Sequence, residues 1–150
     1  PFPFSGNLGF RLNLTGSALW DFLPGGPVRG GEAIAELTWA KDLPIYPGIG
    51  SGVSWDGRYD SLSIPFFFSL ALPEGFRAYV GTQIHLMARD GVSRAIIFPS
   101  MLGLSWTSRP ARLLGQNVRF YQGIDYSWHE NETIGACLRF STGLTLTYDI

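Results

Sequence analysis

The sequence has almost no lysine: of its 11 basic residues only Lys41 is lysine, and the rest are arginine. Charged residues of both signs make up just 15%, well under the ~25% usual for soluble domains. A formal net charge of -1 supplies no field for nucleic acid or an anionic surface, so nucleic acid is excluded as a partner. Cys137 stands alone, which excludes an internal disulfide and leaves the redox compartment open. One cysteine and two distant histidines give no metal-ligand spacing. No cofactor is expected either. PGIGSG lacks the helix and lysine of a phosphate loop and reads as a stripe of small residues. No run reaches the ~18 apolar residues of a membrane-spanning helix. Low-complexity segments and a domain boundary are absent too, so residues 1–150 read as one domain.

What is present is glycine, at 19 residues, and aromatic side chains, at 15%. Hydrophobicity alternates with period two, the signature of strands with one apolar face. Eight strand candidates follow: NLGFRLNLTG, EAIAELTWA, YPGIGSGVSW, SIPFFFSLAL, FRAYVGTQIHL, AIIFPSMLGLSW, NVRFYQGIDYSW and TIGACLRFSTGLTLTY. KDLP, DGRYDS, PEG and HENE are turn signals. DFLPGGPVRGG and ARDGVSR read as loops, and TSRPARLLGQ as the connector able to hold a helical turn. These strands are long, at ~9–12 residues against a globular mode of ~5–6. A tilted strand crossing a bilayer needs ~9–11.

Six charged residues lie well inside strands: Arg11, Glu36, Arg77, Arg119, Asp125 and Arg139. All six fall on the phase opposite the large apolar residues. A soluble sheet also alternates, but the polar phase here carries arginine and many glycines, among them Gly50, Gly81, Gly103, Gly123 and Gly143. Glycine weakens an exposed strand. It suits the interior of a narrow barrel, where long side chains need room and Arg pairs with Glu or Asp. The other phase is aliphatic and rich in Phe, with Trp39, Trp55, Trp106, Tyr126 and Tyr148 toward strand ends, like the aromatic girdles of membrane barrels. A lipid-facing Arg costs ~2–4 kcal/mol at the bilayer midplane, so phase is enforced. Thr82, Ser100, Gln122 and Thr142 are polar exceptions on the expected lipid face.

In STGLTLTYDI, the spacing of Ser141, Gly143, Leu146 and Tyr148 resembles the C-terminal assembly signal of bacterial outer-membrane barrels, with Asp149 and Ile150 as a departure after the aromatic. SIPFFFSLALPEGFRAYVGTQI resembles the central hairpin of small eight-stranded, porin-like proteins of the OmpA, OmpX and OmpW type. The resemblance implies an all-β fold, an eight-stranded antiparallel closed transmembrane β-barrel in the outer membrane of a Gram-negative-type envelope, mature after signal-peptide removal. Its partners are then outer-membrane lipid, the barrel-assembly machinery that reads the last strand, and a larger outer-membrane complex. KDLP, PEG and TSRPARLLGQ would face the periplasm, and the segments around Pro24, Arg58, Asp90 and Glu130 would face out.

An eight-strand interior is only wide enough for side chains, so the expectation is a lumen plugged by the Arg/Glu/Asp network. The expected role is structural: a membrane anchor or a small subunit of an assembly, not an enzyme. The alternative is a narrow channel for small solutes or anions. The third reading is a lipid-modifying enzyme. For that one, neither His85 nor His129 has the serine two residues on that lipid A deacylases use. Asp125, Ser127 and His129 are the remaining triad candidate. A lipocalin would want an apolar interior, which the charged phase denies.

Overall fold

The computed structural model describes residues 9–21, 28–39, 45–57, 61–87, 99–127 and 137–150. It is built of strands β1 (Phe10–Asp21), β2 (Val28–Trp39), β3 (Tyr46–Asp56), β4 (Ser61–Ala71), β5 (Phe76–Met87), β6 (Met101–Thr107), β7 (Ala111–Leu113), β8 (Gln116–Ser127) and β9 (Cys137–Asp149). Neighbours pair antiparallel in the order β6-β5-β4-β3-β2-β1-β9-β8-β7, and β6 also pairs with β8. That last pairing closes the sheet. β7 only prolongs the β6 stave along β8, so the chain forms a closed antiparallel barrel of eight staves. Closure leaves no unpaired edge. At the seam, Phe10 and Ile150 exchange backbone hydrogen bonds of 3.3 and 2.8 Å.

Alternation decides which side chains point where. The outward phase carries Phe68 at 60% exposed, Leu104 at 58% and Ile49 at 56%. The inward phase carries Thr145 and Ser54 at 1% and Glu36 at 2%. Among the described residues, the buried apolar set is Leu19, Met101 and Tyr121, far smaller than the buried polar set. The usual order of a soluble domain, apolar inside and polar outside, is inverted.

Local chemistry sets the turns. Between β4 and β5, Pro73–Gly75 form a short 3-10 turn, closed by the Leu72 N–H donating to the Phe76 carbonyl at 2.8 Å. Glu74 and Gly75 there take positive φ of 62° and 85°. The TSRPARLLGQ segment is not helical as the sequence suggests. It is a hairpin: Leu113 pairs with Gln116 around Leu114 and Gly115, whose φ values are 51° and 79°. Two successive positive φ values are the primed-turn geometry that matches strand twist. Pro65 sits within β4, where it has no N–H to donate. The β3–β4 ladder breaks opposite it, with pairs resuming at Ser51↔Phe66 and Ser54↔Ser63.

Strand limits also differ from the sequence reading. β1 and β2 run into the DFLPGGPVRGG stretch, to Asp21 and from Val28. The sixth stave starts at Met101, and Ile96 and Phe98 lie outside the described residues. So do the segments around Pro24, Asp90 and Glu130, and Arg58 itself. Ser100 is a correction: it is buried, not lipid-facing. It precedes β6, where its N–H donates to the Gly81 carbonyl at 2.8 Å. Its hydroxyl accepts from the Gln83 N–H at 3.1 Å. Off the strand, it no longer follows the strand's phase.

Candidate functional site

The barrel interior is the candidate site. Its best-connected group is the Glu36 carboxylate on β2. Arg77 on β5 pairs with it at 2.8 Å. Asn13 on β1 donates to it at 3.2 Å and Ser69 on β4 at 2.5 Å. One carboxylate therefore ties four staves together. A buried charge is tolerable only when paired and hydrogen-bonded like this. Around it, Thr147 donates to Asn13 at 3.1 Å, and the Thr15 and Thr145 hydroxyls meet at 2.8 Å across the seam.

Toward the other end, Arg139 on β9 grips Asp125 on β8, Nε at 2.9 Å and Nη2 at 2.8 Å from Oδ1. The two residues are direct register partners. Ser17 donates to Glu32 at 2.6 Å beside them. Between the two clusters sit the rings of Phe67 and Tyr79, with centroids 5.5 Å apart, and buried Tyr121. Three glycines leave space for these rings. A Cβ at Gly50 would run into the Phe67 ring, and one at Gly103 into Tyr79. At Gly123 it would come within 2.7 Å of the Tyr121 hydroxyl. The cavity left here, lined by Glu32, Phe67, Tyr79, Tyr121, Asp125 and Arg139 among others, measures about 30 Å³, room for two or three waters at most at roughly 10–15 Å³ each.

The six sequence-derived charges all point inward, but they split into separate pairs. In the register Glu36 faces Asn13, and its charge partner comes from across the barrel. Arg11 pairs with Asp149 at 2.9 Å in an exposed bridge at the turn end. Arg119 forms no ion pair among the described residues, and its Nε is buried without a hydrogen-bond partner. Sequence reasoning missed Glu32, Asp149, Phe67, Tyr79 and Tyr121. Phase was their available signal: Tyr79, Tyr121 and Asp149 share the parity of Arg77, Arg119 and Arg139 on their strands, Glu32 that of Glu36, and Phe67 that of Ser63 and Ser69.

Of the C-terminal residues, Ser141 is buried. A Cβ on Gly143 would strike the backbone of Gly16 and Ser17 across the β1–β9 seam. Leu146 and Tyr148 point outward, opposite Leu14 and Leu12. Asp125 is committed to Arg139, and His129 lies outside the described residues. Among the described residues no group of His, Cys, Asp and Glu could hold a metal ion.

No family model and no curated protein matches the chain. Among solved structures, the crystal structure of Neisserial surface protein A superposes with a TM-score of 0.59 at 11% identity, covering 95% of this chain and 97% of that one. The two share the small eight-stranded barrel fold. At that identity the likeness carries the fold alone, and the interior chemistry is this chain's own.

Proposed function

We propose that the protein is an outer-membrane β-barrel with a structural or interaction role: a membrane anchor or a small subunit of a larger assembly, its lumen plugged by side chains. The carrying observation is the inversion of polarity around a closed sheet. Lipid accepts the exposed Phe68, Leu104 and Ile49, and a closed barrel satisfies every backbone group without water. Aromatic side chains cluster near both ends of the staves. Phe10 and Trp39 are in contact, with centroids 5.9 Å apart, and Phe76 opposes Trp106 at the turn end. Trp55 and Tyr126 lie toward the other end. This supports a membrane-spanning band between them. Localisation to the outer membrane, and a last strand read by the assembly machinery through Ser141, Gly143, Leu146 and Tyr148, belong to the same proposal.

The plug reading rests on the Glu36 and Asp125 clusters and the ring layer between them. A narrow channel for anions is the second reading, favoured by Arg119, which forms no ion pair among the described residues at the turn end. The ring layer, with space for two or three waters at most, weighs against it. The test is reconstitution in planar bilayers. The plugged reading expects heat-modifiable migration on gels and no ion current. A steady anion-selective current would favour the channel, and a water-soluble monomer with no need for detergent would end the membrane reading.

A further inference from the structure

At the turn end the interior opens into a vestibule of about 210 Å³, lined by Arg11, Arg77, Arg119, Asn13, Thr38 and Tyr46 among others. Its three guanidinium groups come from β1, β5 and β8. Arg77 is neutralised by Glu36 at 2.8 Å and Arg11 by Asp149 at 2.9 Å. Arg119 is not neutralised. It is half-buried, its Nε is covered and bonds to nothing, and Arg11 and Arg77 act on it as like charges, against Asp149 alone as an opposite one. Glu74 on the turn is the remaining acid of the lining, exposed and in no ion pair among the described residues. The lining adds neutral polar groups: the Thr38 hydroxyl, the Asn13 amide and the Tyr46 phenol.

We infer that this vestibule is a binding site for a small oxyanion, a phosphate or a carboxylate, held by Arg119. With Nε covered, the terminal N–H groups of the planar guanidinium are those left to meet two oxygens of one such anion. The vestibule has room for such an anion beside Arg119, and the ring layer above it makes it a dead end. The site is thus a receptor pocket, not a stage in permeation. Its dead-end character rests on the proposed plug, which the bilayer current tests separately from phosphate binding.

The full chain in neutral maltoside micelles, which carry no phosphate of their own, is titrated calorimetrically with inorganic phosphate at fixed ionic strength, with chloride as the matched control. Saturable phosphate binding is expected. Arg119→Gln should weaken it about tenfold or more, the loss of one charge-assisted contact, while the variant keeps the gel migration of the folded protein. Glu74→Gln should tighten it by removing a rim carboxylate. No saturable phosphate response in the unmodified chain, or Arg119→Gln binding as tightly, overturns the inference. If Arg119→Gln does not fold, Glu74→Gln decides. Tighter phosphate binding supports the site, and unchanged or weaker binding overturns it.

Discussion

Arg77 on β5 reaches Glu36 on β2 at 2.8 Å, from staves separated in the sheet by β3 and β4. The bond spans the lumen and does not run along the wall. Removing one partner of a buried pair costs about 3–5 kcal/mol, because the other charge is left stranded. Glu36→Ala should therefore lower stability in denaturant titrations of the micelle-folded protein by about that amount. Arg77→Ala combined with Glu36→Ala should cost clearly less than the two single losses added. Additive losses would mean the pair is not coupled.

The glycine gaps make a second expectation. Gly103→Val puts branched carbons where the Tyr79 ring lies. Overpacking costs about 1–3 kcal/mol, read as a lower denaturant midpoint. Tyr79→Ala in the same chain should recover part of that loss. No recovery would place the conflict elsewhere.

The turn at Leu114 carries strain that is simple to remove. A leucine at φ 51° is unfavourable, and its side chain is 95% exposed. Leu114→Gly or Leu114→Asn should raise stability by a few tenths to about 1 kcal/mol, read as a higher denaturant midpoint. A drop would mean that Leu114 contributes a contact on the micelle surface.

Tyr148 tests the last strand as a signal. If assembly in cells reads it, Tyr148→Ser should reduce membrane insertion in cells far more than refolding in vitro. Equal loss in both assays would leave Tyr148 as a packing residue alone.

Much of the architecture was legible because period two is a local property. Arg11 between Phe10 and Leu12, or Asp125 between Ile124 and Tyr126, declares its face without any neighbour. Partners were not legible. Which acid meets Arg77 depends on strand tilt and stagger around the closed barrel, and no local pattern encodes those. Phe67, Tyr79 and Tyr121 escaped because aromatic residues were counted for the lipid face, although their parity put them inside. Gly50, Gly103 and Gly123 make room, but for these rings and not for arginines, while Gly81 and Gly143 lie against neighbouring backbone. Ser100 broke phase because it lies outside the strand that would have fixed it. The hairpin at Leu113–Gln116 was hidden by a leucine in a position that ordinarily asks for Asn or Gly.

The most direct test of a membrane barrel with a filled interior is the parity of β4 itself. Spin labels are placed singly at residues 66, 67, 68 and 69, with Cys137 replaced by Ser, and the protein is reconstituted in lipid vesicles. Apolar oxygen and a water-soluble nickel chelate then compete as relaxing agents. Labels replacing Phe66 and Phe68 should be relaxed by oxygen and ignored by nickel, while those replacing Phe67 and Ser69 should be shielded from both. Strong nickel access at residues 67 and 69 would contradict the filled interior, and the loss of alternation along β4 would contradict the barrel in lipid altogether.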